Sequence, residues 1–257
     1  MEMEIDKLKI YYNIVGKGSN ILILHGWGVS MVPYEPVVKE LSKNHKIYIL
    51  DMPGFGNSEE PDKPWDVDDY TNFIIKFINI NNINDLSIIA HSFGGRIAIK
   101  MCSKERDFTI NKLVLMDSAG IKPKHNLYVT LKIKLYKLGK KIIFNKYILK
   151  VFPRSLNNIK NKLGSQDYRN ATPIMKETLV KTVIEDLKYL LKDIKIPTLL
   201  VWGTHDMETP YDDALVMEKE IPNAGIVKIE GAGHFSFLDN TSLVNKVLNN
   251  FFEEENK

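Results

Sequence analysis

Short, almost continuously apolar runs alternate along this chain with amphipathic stretches, and each run stops at Gly, Pro, Asp or a polar turn. Three of them are NILILHGWG from residue 20, KIYILDMPG from residue 46 and DLSIIAHS from residue 85. Such runs are typical of strands buried on both faces, and the stretches between them have helical spacing. The alternation predicts an α/β fold with a mostly parallel central sheet and helices on both faces.

The alternation is interrupted between residues 121 and 190, where the sequence shows only apolar and basic helical patterns. A chain of 257 residues with 44% hydrophobic residues fits one large α/β domain. We therefore expect a single domain, with a core formed by residues 1–120 and 191–257 and a helical insertion at residues 121–190.

The insertion carries an unusual share of the positive charge. Residues 122–162 contain eleven Lys, one Arg and no acidic residue. The rest of the chain therefore contains 23 basic residues and all 32 acidic residues. A basic amphipathic helix here could rest on an anionic membrane or attract an anionic acyl substrate. We favour a plainer interpretation, a helix with its apolar face over the site and its lysines in solvent, because lysine is abundant throughout the chain. We expect no nucleic-acid partner and only weak membrane contact.

The chain lacks the sequence marks of export or membrane insertion. It starts with the charged segment MEMEIDKLKI rather than with a signal-peptide pattern, and no apolar stretch reaches about 18 residues. Its single cysteine, Cys102, excludes an internal disulfide and fits a reducing compartment. We expect a cytoplasmic protein.

The segment IIAHSFGGRIAI, residues 88–99, places Ser92 between an apolar run and a helical pattern. A serine on a sharp strand-to-helix turn needs small residues two positions before and after it, because the strained backbone passes close to both elements. Ala90 and Gly94 stand at those positions, and Gly95 leaves room for the helix to pack on a neighbouring strand. The pattern fits a nucleophile at Ser92 and also a plain surface turn, so other parts of the sequence must decide between them.

Two later strand ends supply the partners that a serine nucleophile requires. Serine needs a histidine to accept its proton, and the histidine needs a carboxylate to orient it. The run LLVWGTHD ends at Asp206, and EGAGH ends at His234, which is the only histidine after Asp206. We predict a Ser92–His234–Asp206 triad, with Asp117 at the end of LVLMD as the alternative acid.

Acyl transfer also needs hydrogen-bond donors for the oxyanion. We expect them to be the backbone N–H groups of Phe93, directly after the nucleophile, and Trp27 in HGWG. His25 is expected to hold that loop rather than to perform chemistry. The six histidines show no metal-site spacing, so we expect no metal.

Taken together, the motifs LHGWG, DMPGFGNS, AHSFGG, WGTHD and GAGH resemble the α/β-hydrolase superfamily, in order and over nearly the whole chain. The resemblance implies a helical lid at residues 121–190 and a structural role for the DMPGFGNS loop, so Asp51 and Ser58 are not assigned to catalysis. A serine nucleophile excludes the aspartate-nucleophile branches. Ala90 replaces the more common Gly of the family's turn.

These observations predict a cofactor-free serine hydrolase of small to medium carboxylic esters or thioesters. We expect Trp27, Phe235 and Arg169 to contact the substrate. One alternative is a carbon–carbon bond hydrolase of ring-fission products, although that branch usually has Trp after the catalytic His, where this chain has Phe235. Another is a ligand receptor with the same fold and slow turnover.

Overall fold

The computed structural model describes residues 1–122 and 169–253. Most of the predicted lid at residues 121–190, and nearly all of the basic segment 122–162, lie outside this part of the chain. The division into a core and a lid, and the weak membrane contact, therefore stay predictions.

Eight strands in the described part of the chain form one sheet. In chain order they are β1 (Glu2–Ile5), β2 (Leu8–Val15), β3 (Ser19–Leu24), β4 (His45–Leu50), β5 (Asp85–His91), β6 (Thr109–Met116), β7 (Thr198–Gly203) and β8 (Ala224–Ile229). Their spatial order is β1-β2-β4-β3-β5-β6-β7-β8. The pairs β1–β2 and β2–β4 are antiparallel, and all other pairs are parallel. The predicted fold class is confirmed.

Helices cover both faces of this sheet. They are α1 (Glu35–Leu41), α2 (Val67–Ile80), α3 (Phe93–Cys102), α4 (Pro173–Val183), α5 (Tyr211–Glu220), α6 (Ser236–Asp239) and α7 (Thr241–Glu253). Within the described ranges, none is both long enough and apolar enough to cross a bilayer. Helix α5 was not predicted, because its apolar residues 214–217 are consecutive rather than helically spaced.

The core consists of two apolar layers, one on each face of the sheet. Along β3, Ile21 and Ile23 belong to the apolar layer that contains α1 and α7, whereas Leu22 and Leu24 belong to the layer that contains α2, α3 and α5. Successive side chains of a strand point to opposite faces, so a strand buried on both sides is apolar at every position. This explains the continuous apolar runs in the sequence.

The parallel strands bring four loops to one edge of the sheet. The carboxyl ends of β3, β5, β7 and β8 lead directly to Gly26, Ser92, Asp206 and His234. Strand order and direction thus place side chains from distant parts of the sequence at a common edge, where open α/β sheets usually carry their sites.

The described segment that leads from residue 169 back to β7 is anchored on α3. The buried Arg96 donates from Nη1 to the Glu185 carbonyl at 2.6 Å, and the buried Lys100 lies 2.6 Å from a Glu185 carboxylate oxygen. Met175 of α4 is buried in the apolar layer on this face. This end of the predicted lid therefore packs directly against the core.

Two isoleucines of α2 provide a matched test of this packing. Ile74 is 0% exposed and Ile80 is 51% exposed. We expect Ile74→Ala to lower the free energy of unfolding by about 2–5 kcal/mol, because the vacated volume is not refilled. Ile80→Ala should change it by about 0.5 kcal/mol or less. Urea denaturation followed by circular dichroism measures both, and equal losses would contradict the burial described here.

Candidate active site

Ser92 occupies the single-residue turn between β5 and α3. Its φ of 49° and ψ of −114° lie in a region that costs a residue other than glycine about 1–3 kcal/mol. Three backbone hydrogen bonds hold this conformation: the Ser92 N–H donates to Met116 O at 3.2 Å, and the Ser92 carbonyl accepts from the N–H groups of Gly95 and Ala119. The turn lifts the hydroxyl out of the strand at the sheet edge.

Close contacts explain the glycine pair that follows Ser92. A Cβ atom at Gly94 would overlap the Leu24 carbonyl oxygen of β3, and one at Gly95 would overlap Ser118 Oγ after β6. The helix α3 therefore starts in contact with the backbone of β3 and with the loop that follows β6. The glycines provide space at these positions, as their spacing predicts.

His234 connects the serine to a carboxylate. Its Nε2 lies 2.9 Å from Ser92 Oγ, and its Nδ1 lies 2.8 Å from Asp206 Oδ2. The carboxylate can only accept, so Nδ1 carries the proton and Nε2 is free to accept one from Ser92. The structure thus brings together the three residues predicted as a triad, from strand ends up to 142 positions apart in the sequence.

Asp206 is held as an ion by several donors. Its Oδ1 accepts from the N–H groups of Glu208 and Thr209, at 2.8 and 3.0 Å, and its Oδ2 accepts from Thr209 Oγ1 at 2.6 Å. Burial raises the pKa of Asp206, but the hydrogen bonds from His234 and Thr209 outweigh it and lower the pKa below its ordinary value.

The contact with Asp206 also raises the pKa of His234. Burial lowers the pKa of its imidazole, but the hydrogen bond and negative charge of Asp206 outweigh burial and raise the pKa above 6.5. The exposed Glu208 adds to this, because its carboxylate lies 3.4 Å from His234 Nε2. The site therefore stabilises the protonated imidazole that a proton transfer from Ser92 would create.

Asp117, the alternative acid, has a different set of partners. Its two carboxylate oxygens accept from the N–H groups of Gly203 and Ser236, at 2.8 and 3.0 Å. Burial raises the pKa of Asp117 to about 7. Asp117 therefore joins the ends of β6 and β7 to the start of α6, and it is Asp206 that contacts His234 Nδ1.

The loop after β3 is fixed by His25. Its Nδ1 lies 2.7 Å from the Gly26 carbonyl, which only accepts, and its Nε2 accepts the Met52 N–H at 2.9 Å. Burial lowers the pKa of His25 to about 4, so the ring is neutral. Because C=O and N–H point in opposite directions across a trans peptide, this bond turns the Trp27 N–H away from His25.

Two backbone N–H groups near Ser92 are available to an incoming group. Neither the Trp27 N–H nor the Phe93 N–H has an acceptor among the residues that the structure describes. A Cβ atom at Gly26 would lie 3.2 Å from Ser92 Cβ, so the Trp27 loop closely approaches the serine. That these two groups hold an oxyanion stays a prediction.

A cavity of about 270 Å³ adjoins the Trp27 loop. Its walls combine apolar side chains with polar groups, among them one carboxylate. They are formed by Trp27, Val29, Phe55, Glu60 and Met175 together with residues 28, 54, 56 and 170–172. Arg169 is exposed and does not line this cavity.

Phe235 packs beside two histidines of the site. Its ring centroid lies 5.6 Å from that of His234 and 5.0 Å from that of His91. Substrate contacts by Arg169 and Phe235 stay predictions.

The DMPGFGNS loop has the structural role that the resemblance implies. The buried Asp51 carboxylate accepts hydrogen bonds from the N–H groups of Met31 and Asn57, at 2.7 and 2.9 Å, and the Ser58 hydroxyl donates to the Asp51 carbonyl at 2.6 Å.

In residues 1–122 and 169–253, no three His, Cys, Asp or Glu side chains are grouped as metal ligands would be.

Four further residues at the site were not predicted from the sequence: Tyr34, His91, Glu208 and Thr209. The last two follow Asp206 within three positions, a spacing typical of an Asp that accepts N–H groups from its own turn. His91 and Tyr34 are 57 residues apart and meet through a side-chain hydrogen bond. Local sequence contains no signal for such a contact.

The environments of the three histidines can be tested by titration. We expect His234 to titrate above its ordinary value, while His25 and His91 stay neutral from about pH 9 to about pH 5, because burial lowers their pKa values to about 4 and about 3. Two-dimensional 1H–15N NMR of the imidazole nitrogens distinguishes these states. Protonation of His91 near pH 6.5 would contradict the described burial.

Comparison with known proteins agrees with this fold. The family model described as alpha/beta hydrolase fold matches residues 20–241. The chain is 23% identical to the AB hydrolase superfamily protein YisY of Bacillus subtilis, covering 96% of both chains. It is 24% identical to a pimeloyl-[acyl-carrier protein] methyl ester esterase of Legionella pneumophila, covering 96% of this chain and 100% of the relative.

A solved structure shares the architecture. The enol-lactonase from Burkholderia xenovorans superposes with a TM-score of 0.76 at 19% identity, covering 98% of this chain and 99% of that chain. At this identity the likeness concerns the fold alone. Since the family model spans most of the sequence and the sheet has the matching architecture, this chain belongs to the alpha/beta hydrolase fold family.

Proposed function

We propose that this protein is a serine hydrolase that cleaves small to medium carboxylic esters or thioesters through an acyl-enzyme. The observation that carries the proposal is the continuous hydrogen-bonded chain from Ser92 through His234 to Asp206, with distances of 2.9 and 2.8 Å. A nucleophile, a base and an orienting acid in this arrangement perform acyl transfer on several unrelated folds.

In the first half of the reaction, Ser92 Oγ attacks the substrate carbonyl while His234 Nε2 takes the hydroxyl proton. The tetrahedral oxyanion is held by the N–H groups of Trp27 and Phe93. Removal of one such donor typically raises the activation free energy by about 3–4 kcal/mol. His234 then returns the proton to the departing alcohol or thiol, which leaves an acyl group on Ser92.

In the second half, water attacks the acyl group with His234 as base. The proton passes from water to His234 Nε2 and then to Ser92 Oγ, which releases the carboxylic acid. Asp206 stays ionised throughout, because four donors hold its carboxylate, and it stabilises the imidazolium in both halves.

The cavity beside Trp27 supports the size of the substrate. Its volume of about 270 Å³ is just below the range of about 300–1,000 Å³ that is typical of small-molecule pockets, which suits a small to medium substrate group. The side chains of Trp27, Phe55 and Met175 suit an apolar acyl or alkyl group. The Glu60 carboxylate disfavours a negatively charged substrate group in the same cavity. The relative named as a methyl ester esterase supports the same bond type.

Turnover of activated esters tests the proposal. We expect wild-type protein to hydrolyse p-nitrophenyl esters or acyl-CoA thioesters over part of a chain-length series, and Ser92→Ala to lower kcat/KM by about 10⁴-fold or more. Ser103→Ala is the matched control, because Ser103 caps the other end of α3 and its hydroxyl donates to the Lys100 carbonyl. It should leave kcat/KM unchanged.

The outcomes separate the alternatives. Wild-type protein that is inert across the whole series overturns the ester proposal, and cleavage of a ring-fission product instead assigns a carbon–carbon bond hydrolase. A single-turnover burst with tightly retained product would identify the protein as a ligand receptor with slow turnover. Activity that survives Ser92→Ala would show that a residue other than Ser92 is the nucleophile.

The pH dependence tests the roles of His234 and Asp206. Only neutral His234 can act as base, so kcat/KM should rise with pH through the raised pKa of His234. Asp206→Asn removes the charge that raises this pKa, so the acid limb should move to lower pH while kcat falls by about 10⁴-fold. A limb that stays in place would contradict the assignment.

Two further variants calibrate this shift. Glu208→Gln should move the acid limb in the same direction but by less, because Glu208 is exposed and its charge is screened by solvent. Asp212→Asn, an exposed acid in the first turn of α5, should leave the limb unchanged.

A further inference from the structure

Tyr34 and His91 form a buried bridge between the loop after β3 and the backbone of His234. The Gly26 N–H lies 3.1 Å from the Tyr34 hydroxyl, which lies 2.8 Å from His91 Nδ1. On the other side of the ring, His91 Nε2 lies 2.7 Å from the His234 carbonyl. The bridge thus joins the residue before Trp27 to the proposed general base.

The direction of every hydrogen bond in this bridge is determined by its ends. The His234 carbonyl can only accept, so His91 Nε2 carries the proton and the Nδ1 of the neutral ring accepts. Tyr34 must then donate to His91, and its oxygen lone pair accepts the Gly26 N–H. Tyr34 and His91 each donate one hydrogen bond and accept one, and only one arrangement of the protons allows this.

Packing prevents the bridge from rearranging. Tyr34 and His91 are both 0% exposed, and the Tyr34 ring stacks on Phe237 with centroids 4.7 Å apart. Burial lowers the pKa of His91 to about 3 and raises that of Tyr34, so neither group ionises near neutral pH. A Cβ atom at Gly26 would come within 2.8 Å of His91 Nδ1, so the ring also limits where this loop can move.

We infer that Tyr34 and His91 are positioning residues that keep the Trp27 N–H and the His234 imidazole in a fixed relation across the reacting carbonyl. The inference rests on the proposed function. In acyl transfer the oxyanion donor and the base act in the same step, and a misplacement of about 1 Å can cost about 100-fold in rate.

Three substitutions test the bridge. Tyr34→Phe keeps the stacked ring but removes the hydroxyl, and His91→Leu removes both nitrogens; each should lower kcat by about 10- to 100-fold while KM changes by about threefold or less. His91→Gln should recover most of the lost kcat, since its amide oxygen can accept from Tyr34 and its NH₂ can donate to the His234 carbonyl.

A double variant shows whether the two residues act through one connection. If they do, Tyr34→Phe combined with His91→Leu should lose no more kcat than the worse single variant, because either change already breaks the bridge. Losses that multiply would mean two independent effects and would contradict a common bridge.

A similar hydroxyl–histidine pair serves as the control. Ser19 Oγ lies 2.7 Å from His45 Nδ1 at the amino ends of β3 and β4, across the sheet from the site. His45 is also buried, at 7% exposure. Ser19→Ala and His45→Leu should lower the free energy of unfolding while leaving kcat unchanged.

The outcomes distinguish this inference from the proposed function. If wild type hydrolyses esters and Tyr34→Phe retains full kcat, the bridge has no positioning role although the function stands. If His91→Gln is as impaired as His91→Leu, hydrogen bonding through residue 91 is not the cause. Wild type without ester turnover overturns the proposed function and this inference with it. Should His91→Leu fail to fold, Tyr34→Phe decides, because it retains the packed ring.

Discussion

The left-handed backbone of Ser92 is the constraint on which the rest of the site depends. Because β5 turns into α3 within one residue, the helix begins in contact with β3 and with the loop after β6, and only glycine fits at positions 94 and 95. The same turn places Ser92 Oγ at the sheet edge and the Phe93 N–H at the helix start, where it has no acceptor among the described residues. The parallel order of β3, β5, β7 and β8 then brings the Trp27 loop, Asp206 and His234 to that edge.

Three histidines of this site show how environment separates the roles of one side chain. His25 and His91 are fully buried, and neither forms a hydrogen bond with a carboxylate in the described part of the chain, so desolvation keeps them neutral. His25 uses both nitrogens to bond backbone groups, and His91 bonds the Tyr34 hydroxyl and the His234 carbonyl. His234 has the Asp206 carboxylate at Nδ1, which raises its pKa, and its Nε2 contacts the Ser92 hydroxyl. In the proposed mechanism, two neutral rings therefore support one ring that accepts and returns a proton.

Much of this arrangement could be predicted from the sequence, because its causes are local. Continuous apolar runs indicated the buried strands, and their polar ends placed Ser92, Asp206 and His234 at one edge. The sequence favoured Asp206 but left Asp117 as an alternative, because both residues end strands; the three-dimensional contacts show that Asp206 contacts His234 Nδ1 whereas Asp117 accepts the Gly203 N–H. The Tyr34–His91 bridge could not be predicted, because it joins side chains 57 residues apart without a local pattern. Helix α5 was missed because its buried residues lack helical spacing.

In the proposed reaction, Ser92 carries the acyl group during turnover. Rapid quenching of the wild-type protein with p-nitrophenyl butyrate, followed by peptide mass spectrometry, tests it most directly. We expect a burst of p-nitrophenolate and a butyryl group on the peptide that contains Ser92. Ester turnover without an acylated Ser92, or with the acyl group on another residue, would contradict it.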